Sequence, residues 1–259
     1  MIICFSGTGN SLAVAMEVKK HLVGHSLLRL DHINAAMMPA RPIDDNEIIW
    51  VFPTYSWGMP PVIKQAIEVF KGNPDAVHHM ITTCGDDVGN CASQWRKTIK
   101  RYGYKPFGAF SVQMPNTYVN MKGFDVDSTE IEKKKIDSMP GRVKQICDII
   151  KSGKPHKIND VVKGSWPWVK TALIYPWFMR YEMNPANFKV DKSRCTSCGL
   201  CSERCPLDNI ILSDTYPRWD NNCTMCLRCY HHCPTKAIGY LDKTKEKGQY
   251  TRYRNLVKD

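Results

Sequence analysis

Along the first 150 positions, short apolar runs alternate with stretches of helical period. The chain opens on an apolar run, Ile2 to Phe5, followed by a helical pattern from Leu12 to Leu22. Strand-like runs recur at Glu47–Phe52, His78–Thr83 and Phe107–Gln113. Between and after them lie helical stretches at Val62–Lys71, Asn90–Tyr102 and Ser128–Ser152. Strand and helix alternating over this length predict an α/β domain with a doubly wound parallel sheet, here assigned to residues 1–152. In such sheets a ligand sits beyond the carboxyl ends of the strands, where the strand order reverses. Later in the chain the pattern changes. Residues 153–186 form an aromatic-rich connector, 187–241 a smaller cysteine-rich α+β domain, and 242–259 a basic tail.

Candidate chemistry collects in the loops after the strands. The first is Ser6-Gly7-Thr8-Gly9-Asn10-Ser11. A strand, a hydroxyl- and glycine-rich turn and a helix make an anion site, because backbone N–H groups and the helix dipole both favour negative charge. No G-x-x-x-x-G-K-[ST] is present and no G-x-G-x-x-G, so neither a nucleoside triphosphate nor a dinucleotide is favoured. A phosphate monoester remains. The second loop offers Pro53, Thr54, Tyr55, Ser56, Trp57 and Gly58; the third offers Thr83, Cys84, Gly85, Gly89 and Asn90. An isoalloxazine ring needs a flat aromatic to stack on, and Tyr55 or Trp57 can supply it. The same residues also read as aromatics at the edge of a core. Beside a phosphate turn on this kind of sheet, the flavin reading prevails. Asn116 and Tyr118, after the strand ending at Gln113, are candidates to touch flavin or substrate. Cys84 reads better as a small apolar filler, and Asp86 and Asp87 as solvated loop carboxylates. The pairs His78-His79 and His231-His232 suit structural roles.

Eight of the 12 cysteines fall into two copies of C-x2-C-x2-C-x3-C-P. The first copy is Cys195, Cys198, Cys201 and Cys205; the second is Cys223, Cys226, Cys229 and Cys233. Self-similarity at a fixed offset marks a duplicated unit, and Ile210 and Ile238 repeat at the same offset. Paired C-x2-C motifs also make zinc ribbons. A triplet with a remote fourth cysteine, stated twice, fits two 4Fe-4S clusters better, with each fourth cysteine serving the other run's cluster. One cluster would then take Cys195, Cys198, Cys201 and Cys233, and the other Cys223, Cys226, Cys229 and Cys205. The remaining Cys4, Cys84, Cys91 and Cys147 follow no disulfide spacing, which points to a reducing cytoplasm, in an anaerobe. Neither a secretory signal nor a run of 18 uncharged apolar residues is evident, so no membrane span is expected.

Charge adds one correction. The formal net charge is +11, and most of the excess lies after residue 150. Eight thiolates around two iron cores and a flavin phosphate would offset much of it. Nucleic-acid binding is therefore disfavoured. Lys243, Lys245, Lys247, Arg252, Arg254 and Lys258 in the tail suit a solvated end or a docking surface for an acidic redox partner.

The combination resembles the anaerobic flavodoxin–ferredoxin fusion proteins. The likeness runs through Phe5-Ser6-Gly7-Thr8-Gly9-Asn10, Pro53-x-Tyr55-x-Trp57-Gly58-x-Pro60-Pro61, Thr83-Cys84-Gly85, Met114-Pro115-Asn116 and both cysteine runs. It implies a flavodoxin-like domain holding FMN, a ferredoxin-like domain holding two 4Fe-4S clusters, and low-potential electron transfer between them. Redox partner proteins or a small-molecule electron donor or acceptor would complete the circuit. A flavin-dependent reductase of a small molecule and a redox sensor are the competing readings, and a homo-oligomer is left open. The connector, with Trp166, Trp168 and Trp177, is expected to pack between the domains; a partner-docking or membrane-surface patch is the alternative. Pro167 and Pro176 argue against one straight helix there.

Overall fold

The computed structural model describes residues 1–31, 43–153, 158–213 and 216–257. Its main sheet has six parallel strands in the order β2-β1-β3-β4-β5-β6: Leu27–Arg29, Ile2–Cys4, Glu47–Pro53, Val77–Cys84, Lys105–Gln113 and Asn159–Asp160. The first five follow the flavodoxin-type order, with the reversal between β1 and β3. Helices α1 (Asn10–His21), α2 (Pro61–Val69), α3 (Cys91–Arg101) and α4 (Thr129–Lys151) cover the two faces.

Side-chain alternation divides the core. Along β3, Ile48, Trp50 and Phe52 point to the face packed by α2 and α3; Ile49 and Val51 point to the face packed by α1 and α4. Burial on both faces explains why β3 is apolar throughout rather than alternating with polar residues. The two edge strands were not among the expected ones. β6 lies in the expected connector and pairs with β5 through Ala109 and Phe110.

The cysteine-rich unit is a structural repeat. β7 (Phe188–Val190) pairs antiparallel with β10 (Ile238–Tyr240), and β8 (Ile210–Ser213) with β9 (Tyr216–Trp219). Short helices, Leu200–Glu203 and Arg228–His232, follow the same position in each copy. The backbone repeats too. Left-handed residues recur at matching places: Ser197 and Met225 (φ 55° and 54°), Gly199 and Leu227 (75° and 59°), Asp208 and Lys236 (49° and 54°). Arg204 and His232, each preceding a fourth cysteine, meet at 3.3 Å.

Two expectations change. Helical turns continue from Pro167–Val169 through Lys170–Ile174, Tyr175–Trp177 and Phe178–Glu182, and two of these pieces are wide π turns. The wider turns accommodate Pro176, which lacks an N–H to continue an α-helical ladder. The run buries Tyr175 and Phe178, whereas Trp166, Trp168 and Trp177 remain 77%, 64% and 45% exposed. The tryptophans are therefore not the packing residues. The C-terminal segment is not a solvated end either. Tyr250 and Val257 are buried, and Tyr253 and Leu256 pack against the core beneath α1 and α4. Lys258 lies outside the described residues. No helix among the described residues is long and apolar enough to cross a membrane.

Candidate functional site

A cavity of about 390 Å³ opens at the carboxyl ends of β1 and β3. It collects most of the loop residues singled out in the sequence. Ser6, Gly7, Thr8, Asn10 and Ser11 line it from the first loop; Pro53, Thr54, Tyr55, Ser56 and Trp57 from the second. Thr83, Cys84, Gly85, Asn116 and Tyr118 complete the set. Four candidates lie outside the wall and pack behind it. A side chain on Gly9 would strike Tyr253, one on Gly58 would strike Tyr175, and one on Gly89 would strike Trp57 and Thr171. The Asn90 N–H donates to Thr171 Oγ1 at 2.8 Å.

Local structure explains the positions. α1 begins without a capping side chain or an acidic residue in its first turn, so its first amide groups are not claimed from within the helix. Ser6 Oγ accepts from the Gly9 N–H at 3.1 Å, and the Ser11 and Thr83 hydroxyls meet at 2.7 Å. Among the described residues, no Lys or Arg lines the cavity. An anion bound at this end would depend on N–H groups, hydroxyls and the helix dipole. Asn116 is braced by its neighbours: its N–H donates to Asp127 Oδ2 at 3.0 Å and its Nδ2 to the Asp125 carbonyl.

The connector closes one side. Ile174, Trp177 and Phe178 line the cavity, as do Met121 and Phe124. Thr171 Oγ1 donates to the Trp57 carbonyl, and the Tyr175 hydroxyl donates to that of Met59. Lys170 pairs with Asp87 at 2.6 Å and places its ammonium 5.1 Å from the Trp57 ring centre. Asp87 is thus neutralised and largely covered rather than solvated. Burial, with Asp87 and Asp86 adding to it, pushes the Cys84 thiol up to about 12, which suits a neutral filler.

The remaining wall comes from the cysteine-rich unit. Met225, Cys226 and Leu227 line the same cavity, and a side chain on Gly7 would stand 2.6 Å from the Cys226 carbonyl. Sequence reading missed this wall, which no local pattern announces. Tyr55 stands close to it: burial raises its hydroxyl well above the ordinary value, Cys226 and Cys223 add to the rise, and among the described residues that hydroxyl has no hydrogen-bond partner.

The cysteines fall into two neighbourhoods. Burial pushes the Cys223 thiol up to about 12 and Cys226 up to about 11, and raises Cys229 further. In all three, Cys205 adds to the rise. Burial takes Cys201 up to about 11, with smaller additions from Cys198 and Cys233. Cys205 thus lies within electrostatic reach of the second run, and Cys233 within reach of Cys201. Backbone N–H groups serve the sulfurs in the same way in both copies: Asn209 N–H to Cys205 Sγ at 3.3 Å, and Ala237 N–H to Cys233 Sγ at 3.2 Å. The left-handed residue before each donor turns the amide back toward sulfur. Such donors suit thiolates bound to iron. Among the described residues, no three His, Cys, Asp or Glu side chains crowd around one point as ligands of a single ion do. Thiols at the corners of an iron–sulfur cube stand further apart than that.

A family model described as a 4Fe-4S binding domain matches residues 188–211. The chain carries a 4Fe-4S ferredoxin-like domain. An uncharacterized ferredoxin of Methanocaldococcus jannaschii is 36% identical over 56 residues, which cover 19% of this chain and 35% of that protein. The chain thus spans about a third of the curated relative it matches. Among solved structures, an azoreductase from Bacillus anthracis aligns with a TM-score of 0.36 at 5% identity, over 58% of this chain and 98% of that one. An NAD(P)H:quinone oxidoreductase from Methanothermobacter marburgensis gives 0.36 at 10%, over 56% and 94%. A flavodiiron core from Synechocystis gives 0.34 at 14%, over 57% and 36%. At such scores these likenesses decide nothing, and the strand order assigns the fold.

Proposed function

We propose that the chain is a flavodoxin–ferredoxin fusion that transfers electrons between FMN and two 4Fe-4S clusters. The observation that carries this reading is the shared wall: the cavity at the sheet's switch point is lined on one side by Cys226, a cysteine of the second run. When bound, a flavin exchanges electrons singly or in pairs and each cluster passes one at a time. The residues present fit both groups. Ser6, Thr8, Asn10 and Ser11 would hold the phosphate end, and Tyr55 and Trp57 would face the ring. Cys205, Cys223, Cys226 and Cys229 would hold the flavin-side cluster; Cys195, Cys198, Cys201 and Cys233 would hold the outer one.

An electron carrier is favoured over a reductase by what covers the cavity. Ile174, Trp177 and Phe178 from the connector, with Tyr118 packed against Phe178 and Phe124, and with Met121, give it a largely apolar lining. Its volume, about 390 Å³, is at the small end for ligand pockets. One flavin would take up most of that space, leaving little for a second molecule.

Anaerobically purified protein should contain about eight irons, about eight acid-labile sulfides and one flavin released as FMN. Iron, sulfide and flavin analysis checks this. Zinc in place of iron, or no flavin taken up on reconstitution, overturns the reading.

A further inference from the structure

The carbonyl side of the phosphate turn is held by the ferredoxin-like unit. Arg228, 1% exposed, stands between Cys226 and Cys229 in the chain. Its Nε donates to the Gly7 carbonyl at 2.8 Å, and one terminal nitrogen donates to the Ser6 carbonyl and to Asp31 Oδ1 at 2.7 Å. The other terminal nitrogen donates to the Arg204 carbonyl at 3.0 Å. In a trans peptide the C=O and the following N–H point in opposite directions. Holding the Ser6 and Gly7 carbonyls on Arg228 therefore aims the N–H groups of Gly7 and Thr8 the other way, toward the cavity that both residues line. Further contacts fix the same turn from the same side. Cys226 lies against Gly7, Tyr253 against Gly9, and the Tyr250 hydroxyl donates to Asn10 Oδ1 at 2.7 Å.

We propose that the ferredoxin-like unit forms the outer half of the flavin phosphate site, with Arg228 as its positioning residue, so that phosphate binding and the integrity of the Cys223–Cys229 loop are thermodynamically linked. This rests on the FMN reading above. Arg228 touches no phosphate itself. It orients the amides that do, and it belongs to a loop whose conformation depends on its cysteines being ligated. Linkage is reciprocal: whatever orders the loop favours the phosphate, and the phosphate favours the ordered loop by the same factor.

The test uses the full-length, iron-loaded chain after removal of flavin. Affinities for FMN and riboflavin are measured by fluorescence titration for the parent, Arg228→Ala, Arg228→Lys and Tyr250→Phe. Arg228→Ala should weaken FMN about tenfold to a hundredfold while riboflavin changes by less than about threefold, because several charge-assisted bonds to the turn are lost. Arg228→Lys should recover part of the loss, since an ammonium keeps the charge but not the planar fork. Tyr250→Phe removes one hydroxyl and should weaken FMN about threefold in the same selective way. It serves where Arg228→Ala does not fold. In the reciprocal arm, chelator-driven iron loss is followed by absorbance. FMN should slow the loss of one cluster in the parent, riboflavin should not, and Arg228→Lys should shrink the protection. Equal losses for both flavins, or no protection by FMN, would overturn the linkage while leaving the flavin site standing. A parent that binds neither flavin overturns the flavin reading and this inference with it.

Discussion

Ser56 and Trp57 occupy left-handed backbone at φ 42° and 65°. For residues other than glycine this costs about 1–3 kcal/mol each and persists where the surroundings impose it, often at functional sites. Here Thr171 grips the Trp57 carbonyl and Lys170 sits over the ring, so the loop is held with its indole at the cavity. Trp57→Ala keeps the backbone strain and removes the ring alone. It should weaken FMN and riboflavin alike, by about tenfold to a hundredfold, and shift the flavin absorbance. Ser6→Ala and Thr8→Ala should weaken FMN and spare riboflavin. Titrations with both ligands separate the two outcomes, and an unchanged spectrum in Trp57→Ala would move attention to Tyr55. His78 makes a different prediction. It accepts from Trp50 Nε1 at 3.0 Å inside an aromatic cage with Phe70 and Tyr104, and burial lowers it to about 3. The folded chain holds it neutral while the unfolded chain protonates it near 6.5. Its contribution to stability is present above pH 6.5 and is lost as pH falls toward 3, by up to about 4 kcal/mol. Denaturant midpoints measured across that range should fall less steeply for His78→Phe than for the parent.

At the level of elements, legibility followed burial. β1, β3, β4 and β5 were visible as apolar runs because both of their faces are covered. β2 is three half-buried residues and β6 only two, too short to carry a period, and each is defined by pairing with a neighbour. The connector's aromatics were visible but their division was not. Tyr175 turns inward because Gly58 leaves room for its ring, a fact stored more than a hundred residues away. In the candidate site, the loops after the strands were legible as motifs, while the wall from Met225 to Leu227 was not, since it depends on how two units meet. The cysteine spacing was legible in full and makes a sharp expectation about the repeat. Cys205→Ala should damage the cluster of the second run, and Cys233→Ala that of the first. Paramagnetic resonance on the two reduced variants checks which signal is lost. Loss of each variant's own-run cluster would contradict the crossed arrangement.

For the whole molecule, the two cysteine neighbourhoods face different surroundings. Cys226 packs against the core of the flavodoxin-like unit, whereas Cys198 is exposed. In the cysteine-rich unit a surface groove carries Lys189, Arg194, Lys236, Lys245 and Lys247 against Asp191, Asp242 and Glu246. Electron exchange with an acidic protein should therefore occur on that side. Arg194→Glu combined with Lys236→Glu should slow reduction by an acidic ferredoxin about tenfold at low salt, and the parent's rate should fall as salt rises. Stopped-flow absorbance measures both, with dithionite reduction as the reference that should not change. The matched backbone of the two copies has a use of its own. Leu200 and Arg228 open equivalent helices at equivalent places, but it is Arg228 that is pressed against the carbonyls of Ser6 and Gly7. The molecule thus contains its own control experiment: one loop geometry, built twice, with and without a neighbouring domain against it. Any difference in behaviour between the two halves reports on that neighbour rather than on the loop.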